Sequence, residues 1–419
     1  SFVLIDVLLL YYGMSLSWIL LLDVVLFAAF VMLVSTSKTN EADDCSVKRI
    51  LFCDNTLWGL VNFRGDIIDY YVRQGYEVYL VAPEKEDRQM VVPVPEGVTF
   101  IPVAMGRTST SPLNDLRYFL ALWRIYGRVK PHYCFHYTIK PNIYGSIVAY
   151  LQGAECSTAM IAGLGYVFNN KSVSARIARL LYRIGLKFTD YLFVLNEGNR
   201  EVILRKSLCS EKKIKLLPGG EGINTQKYPF YGNSPVTPVI FSFVGRVLYD
   251  KGYAEYVAAA EIVKERYPDA IFEIWGSLDP LFPNAVPLEK LQFDVGRNII
   301  TYKGFTTNIS DIYNRGGVVV VIPSYHEGMN RTLMEACSTG KPIICSRIHG
   351  CMEMVSEGGN GYTVPTRDAK ALADAMLRYI SLSDEEKQKM CIMSRSLAES
   401  RFAIESVIEE YKAIVAQKQ

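Results

Sequence analysis

From residue 49 onward, short apolar runs alternate with amphipathic stretches. The runs at 50–53, 77–82, 98–102, 133–136, 158–162, 191–195 and 214–217 predict strands. Helices fit between them at 64–74, 114–129, 142–152, 173–188 and 198–206. Over 228–238 the composition turns to Pro, Gly, Asn and Ser, a linker signal. The pattern then restarts, with strands at 239–244, 271–275, 299–302, 318–322 and 342–346 and helices at 254–266, 331–339 and 368–380. Strands that alternate with helices imply a parallel sheet covered on both faces. The expected fold is therefore α/β, two Rossmann-like doubly wound domains facing across a cleft. The expected boundaries are 47–232, 233–398 and a C-terminal helix at 399–419 crossing back to the first domain.

The first 46 residues stand apart. The stretch 16–34 is apolar but for Asp23, long enough to span a membrane. A central Asp costs roughly 2.5–3.5 kcal/mol on insertion scales, which the surrounding Leu, Val and Phe residues can offset. A second reading stays open. The run Val47-Lys48-Arg49-Ile50-Leu51 resembles the opening of a bacterial Rossmann protein started at a valine codon, and 1–46 would then be translated upstream sequence.

Half of the 419 residues are hydrophobic, enough for two cores. The net charge of +2 conceals a division: −4 over 1–47, +9 over 48–235 and −3 over 236–419. The basic part suits an anionic partner. Within it Arg176, Arg179, Arg183 and Lys187 recur at helical spacing, and Arg117, Arg124 and Arg128 repeat the pattern one helix earlier. Such stripes suit an anionic membrane surface, whereas nothing in them matches a nucleic-acid-binding module. The nine cysteines include no C-x-x-C pair, and several lie in apolar runs, as buried free thiols do. Cys345, His349 and Cys351 lack the further ligand cluster that a metal centre needs.

The densest chemistry follows the run 318–322. Gly328 permits a tight turn, Asn330 can cap a helix, and Gly340 stands where a helix C-cap glycine belongs. A strand, a glycine turn and a helix N-terminus make an anion site, here with the N–H groups near 330–333. Glu327 precedes this helix and Glu335 lies within it, with seven residues between. Gly245, Arg246, Lys251 and Gly252 follow another strand, where two cations can neutralise a departing diphosphate.

These segments resemble the E-x7-E signature and the strand-end G-R…K-G segment of the family 4 retaining glycosyltransferases, which have the GT-B fold. The resemblance runs from about residue 48 to about 416. It implies that Glu327 meets donor-sugar hydroxyls, that Glu335 meets the ribose, and that Arg246 and Lys251 clamp the diphosphate. Gly245, Gly328, Met329, Asn330, Thr332 and Leu333 would complete the donor site, with Lys303 and Phe305 beside the base. On the acceptor side it implies Arg64, Lys140, Asn142, Gly163, Gly165 and Asn196. The segment 54–63 departs from the paired glycines of the family's first loop and holds only Gly59. His132 and His136 occupy no evident catalytic offset.

The nearest resemblance is to bacterial N-acetylhexosaminyltransferases acting on undecaprenyl-diphosphate-linked sugars. It implies transfer of an N-acetylhexosamine from a UDP-sugar to a lipid-diphosphate-linked saccharide during cell-surface polysaccharide or glycan assembly. The acceptor hydroxyl would attack from the face the diphosphate leaves. No metal and no cofactor beyond the UDP-sugar co-substrate are expected, since two cations and a helix terminus supply the charge. The implied location is the cytoplasmic face of the inner membrane, peripheral or with an N-terminal anchor. A nucleotide-sugar epimerase of the same two-domain fold is the alternative. A nicotinamide dehydrogenase is disfavoured because no G-x-G-x-x-G follows the first strand.

Overall fold

A computed structural model describes residues 47–84, 92–106, 111–163, 173–217, 219–232, 237–280, 282 and 284–417. The apolar segment 1–46 and Gly165 lie outside the described residues. Among those described, no helix is long and apolar enough to cross a membrane.

The chain divides into two compact units, one reaching Leu217 and taking in Ile408–Gln419, the other Pro218–Val407. The first contains β1 (Arg49–Cys53), α1 (Leu57–Arg73), β2 (Glu77–Ala82), β3 (Val98–Pro102), α2 (Pro112–Val129) and β4 (Tyr133–Tyr137). A π-helical turn at Pro141–Gly145 then runs into α3 (Ser146–Leu151). Next come β5 (Cys156–Ile161), α4 (Val173–Gly185), β6 (Tyr191–Val194), α5 (Glu197–Arg205) and β7 (Ile214–Leu216). Its seven strands are parallel, in the order β3-β2-β1-β4-β5-β6-β7.

The second unit contains β8 (Ile240–Val244), α6 (Tyr253–Arg266), β9 (Ile271–Trp275), α7 (Leu288–Gly296), β10 (Thr301–Gly304) and a short α8 (Ser310–Tyr313). It continues with β11 (Val318–Ile322), α9 (Arg331–Thr339), β12 (Ile343–Ser346), β13 (Gly361–Val364), α10 (Ala369–Ile380) and α11 (Asp384–Arg401). The last helix, α12 (Ile404–Ala416), begins in this unit and ends in the first. The six-stranded parallel sheet runs β10-β9-β8-β11-β12-β13. Both units are thus doubly wound, with the strand order reversing between β1 and β4 and between β8 and β11.

β11 shows why these runs form strands. All five of its residues are buried, Val318, Val320 and Ile322 in one core cluster and Val319 and Val321 in another. A β-branched run with both faces covered has no other low-energy home. The eight described cysteines are free, seven of them buried, as the apolar contexts implied.

Several boundaries differ from the sequence reading. α1 starts at Leu57, capped by the Thr56 hydroxyl, which accepts from Gly59 N at 2.8 Å. A Cβ at Gly59 would lie 2.8 Å from that hydroxyl oxygen and 3.1 Å from Asp54 Oδ2. The glycine thus serves the helix start, which is why the loop has one. The sequence pattern has no counterpart to β13, α7, α8 or α11. α11 runs through the expected boundary at 398, and the chain breaks at Phe402 before α12. The presumed linker belongs with the second unit. Lys341 Nζ donates to Gly232 O at 2.6 Å, and Tyr228 and Tyr231 pack against a second-unit core. α4 ends at Gly185, so Lys187 lies beyond the helix face that carries the three arginines.

Candidate active site

In the second unit the loops after β8 and β11 meet where the strand order reverses. Tyr325 N donates to Asp250 O at 2.9 Å. A Cβ at Gly252, φ +81, would collide with the Pro323 carbonyl, so only glycine lets the loops close up. Across this contact Lys251 Nζ reaches Glu327 Oε1 at 2.5 Å, the two side chains 23% and 12% exposed. Arg246 is exposed one residue past the strand-end Gly245, its guanidinium 4.1 Å from the Phe282 ring centroid. Gly245 N donates to Trp275 O, and Gly276 N to Gly304 O, both at 2.8 Å. The ends of β8, β9 and β10 are thereby stitched together. A Cβ at Gly276 would strike the Gly245 carbonyl.

The turn before α9 is built as its sequence demands. Asn330 Oδ1 accepts from Leu333 N at 3.0 Å, and Asn330 N donates to Gly350 O at 2.8 Å. Gly340 closes the helix at φ +77. Gly350, at φ +88, packs so closely that a Cβ would overlap the Gly328 carbonyl oxygen. Met329 is half-buried, beside Gly220, whose added Cβ would come within 2.5 Å of it. Thr332 is half-buried and Leu333 fully buried. The first turn of α9 therefore opens at the carboxyl end of the sheet with its partial positive charge.

Glu335 sits deeper, with Oε1 accepting from Tyr228 O–H at 3.0 Å and from Arg331 Nε at 3.3 Å. Burial raises its carboxyl above the usual carboxylate range, although Arg331 and Tyr228 pull the other way. Lys303 and Phe305 are exposed at and just beyond the end of β10, two strands from β8 in the sheet. Lys303 Nζ lies 3.7 Å from Glu273 Oε1. Burial by itself would raise the Glu273 carboxyl. The Arg315 fork, at 3.1 and 2.6 Å, and the Trp275 N–H overcome it and hold it low.

The first-unit residues divide. Arg64 and Asn142 are both buried against Met160 near the end of β5. Arg64 Nη2 lies 3.2 Å from the sulfur, and Asn142 spans the Met160 backbone at 2.7 and 3.3 Å. Lys140 pairs with Asp115 at 2.6 Å, and Gly163 is exposed. Asn196 caps α5, accepting from Asn199 N at 2.8 Å. His136 is buried on Tyr126 O–H at 3.0 Å, and burial pushes its ring down to about 3, so it stays neutral. His132 Nδ1 accepts from Arg49 N. Both histidines serve the sheet.

Sequence reasoning missed Tyr228, Arg331 and Gly350. Tyr228 lay in a stretch read as linker. The signal for Gly350 is the glycine of the His349–Cys351 segment itself.

Residues 49–196 match the family model described as glycosyl transferase 4-like, and residues 224–394 match that of glycosyl transferases group 1. Together they take in every strand of both sheets except β7, and every donor-site residue named above. The chain belongs to the family 4 glycosyltransferases. One relative is the Campylobacter jejuni N,N'-diacetylbacillosaminyl-diphospho-undecaprenol alpha-1,3-N-acetylgalactosaminyltransferase. It is 25% identical over 86% of this chain and 96% of its own. An Escherichia coli UDP-Gal:alpha-D-GlcNAc-diphosphoundecaprenol alpha-1,3-galactosyltransferase is 24% identical over 67% of this chain and 73% of its own. Among solved structures, a glycosyltransferase from Rickettsia africae superposes with a TM-score of 0.71 at 16% identity, covering 89% of this chain and 99% of its own. HepE of Anabaena, crystallised with UDP, gives 0.67 at 15%, covering 88% and 100%. The fold is therefore GT-B, two Rossmann-like units.

Proposed function

We propose that this glycosyltransferase moves an N-acetylhexosamine, with retention, from a UDP-sugar to a saccharide carried on a lipid diphosphate. The observation that carries the reading is the Lys251–Glu327 pair at the β8/β11 reversal, beside the N-terminus of α9 and with Glu335 inside that helix. Arg246, Lys251 and the first turn of α9 stabilise the leaving diphosphate. Glu327 holds the sugar hydroxyls, Glu335 the ribose, and the region of Lys303 and Phe305 the base. The acceptor hydroxyl attacks C1 from the face that UDP leaves, the C1–O bond to the β-phosphate breaks, and the hydroxyl proton passes to a leaving phosphate oxygen. The acceptor meets the first unit, on the side of Arg64, Lys140 and Gly163. Asn142 and Asn196 hold local backbone there.

The names of the Campylobacter and Escherichia relatives, both acting on undecaprenyl-diphosphate-linked sugars, support the lipid acceptor and assembly of a surface polysaccharide or glycan. The exposed arginines of α2 and α4 support a peripheral position on an anionic membrane, at the cytoplasmic face of the inner membrane.

The experiment is a screen of UDP-sugars with an undecaprenyl-diphosphate-linked saccharide, followed by linkage analysis. Arg246→Ala and Lys251→Ala should each lower turnover about 10²–10³-fold, the scale of one lost electrostatic stabiliser. Turnover should be unchanged by EDTA, because protein cations carry the leaving-group charge. Near-normal turnover in both variants overturns the clamp. Formation of a UDP-sugar epimer without acceptor overturns transfer in favour of epimerisation.

A further inference from the structure

The first unit carries a second concentration of positive charge, on residues that have no assigned part in sugar transfer. A pocket of about 350 Å³ lies between α4 and the turn after α5, lined by Arg176, Arg179, Leu180, Arg183, Lys206 and Leu208. Four of these are cations and none is a carboxylate. The spacing of 176, 179, 180 and 183 places these four residues on one face of α4. Arg183 fastens that face to the facing turn, with Nε donating to Ser207 O at 3.1 Å and Nη2 to Lys206 O at 2.9 Å. Both acceptors are neutral carbonyls, so they position the guanidinium without cancelling its charge. Ser207 itself holds φ +49, a left-handed conformation that non-glycine residues seldom adopt, and this shapes the turn that presents the two carbonyls. Leu208 is buried as the floor, and Leu180 is 37% exposed at the rim.

Four cations lining one concavity make it a favourable place for an anion. Guanidinium forks match phosphate oxygens in geometry as well as charge. The two leucines offer an apolar wall to whatever the phosphate is esterified to. We propose that this pocket is a discrete phosphate-ester site, formed wholly by the first unit. The proposal deepens the membrane reading and rests on it only for the source of the phosphate, a lipid head group or a soluble ester.

The test titrates inorganic pyrophosphate into the full chain by calorimetry, with saturating UDP present to fill the donor site. Three proteins are compared: the unaltered chain, Arg176→Ala/Arg179→Ala in the pocket, and Arg124→Ala/Arg128→Ala on α2 outside it. Thermal melting confirms that all three are folded. The pocket variant should bind at least about tenfold more weakly, the scale of a lost charge-assisted hydrogen bond, and the α2 variant should match the unaltered chain. Absence of pyrophosphate binding, or equal weakening in both variants, overturns the pocket. A parallel arm measures association with phosphatidylcholine vesicles with and without phosphatidylglycerol. Pocket-dependent association with the anionic vesicles identifies a lipid head group, and its absence beside intact pyrophosphate binding identifies a soluble ester. Anionic-vesicle association that survives loss of the pocket, together with pyrophosphate binding that the pocket variant leaves unchanged, keeps the membrane reading standing while the pocket falls.

Discussion

Glu335 holds two donors on one oxygen. Tyr228 O–H and Arg331 Nε both reach Oε1, which orients the carboxylate for a diol on its other side. An ionised carboxylate accepts both ribose hydroxyls, and a protonated one accepts less well. Because burial raises this carboxyl, UDP affinity should begin to fall on acidification at a pH above the usual 4.5. Glu335→Gln should bind UDP more weakly throughout and lose that part of the pH dependence, as calorimetry against pH would read. In the protein without donor the sign is opposite. The fold favours the protonated acid, so the contribution of Glu335 to stability declines as pH rises from the ordinary carboxylate range through the raised value. Tyr228→Phe removes one hydrogen bond to a charged group, and about tenfold weaker UDP binding is expected, with kcat nearly kept. Glu327 and Glu335 were legible in the sequence because a strand, a glycine turn and a capped helix fix their relation locally. Tyr228 was not, because its contact with Glu335 spans 107 positions and exists only in the folded chain.

The strand–turn–helix at β11 and α9 depends on a glycine outside it. Gly350→Ala would meet two penalties, the left-handed φ and the overlap with the Gly328 carbonyl. Gly358→Ala, at φ +72, has nothing within 4 Å of the added Cβ and meets only the first. Denaturant titration should show a loss of about 1–2 kcal/mol for Gly358→Ala and clearly more for Gly350→Ala. Only the latter should also lower turnover, since it displaces the loop carrying Glu327. An equal loss in both would mean that the contact with Gly328 has no energetic weight. The strands read well from sequence because runs such as 318–322 stay apolar end to end. The early part of α1 was lost because Thr56, its cap, was not weighed against the apparent loop around Gly59. α11 has a largely polar surface and a Ser383–Glu386 capping box, so its start signal is strong while its apolar periodicity is faint. β13 reads Gly-Tyr-Thr-Val and lacks the unbroken apolar run that marks equally short strands such as β6.

Across the whole chain the uneven charge becomes a placement of function. The net +9 of residues 48–235 falls largely in the first unit, and the residues proposed to hold the donor fall in the second. On α2, Arg117, Arg124 and Arg128 are exposed, and Leu120 between them is 38% exposed. Cosedimentation with phosphatidylglycerol vesicles should decline with added salt, and Arg117→Glu/Arg124→Glu/Arg128→Glu should lose much of what remains at low salt. Binding indifferent to salt and to these changes would exclude the stripe as the membrane contact. Two doubly wound units were legible because the strand–helix alternation stops and restarts. Their seam was not, because Pro and Gly content marks loops whether or not they join domains, and here the aromatic residues among them pack on the second unit.

The return of Ile408–Gln419 to the first unit makes that unit discontinuous in sequence. Tyr411 is buried there, its ring 4.8 Å from Phe135 and 4.9 Å from Phe193, its hydroxyl 2.9 Å from that of Tyr137. The helical stretch from Ile408 therefore completes a core whose strands all precede Leu217 in the sequence. In genetic terms the second unit is a cassette inserted into the first, with seams at 217/218 and 407/408. Exchanging sugar-donor modules between relatives would need both seams cut. A hybrid joined once, between the two units, would graft a foreign segment into the first unit's own interior.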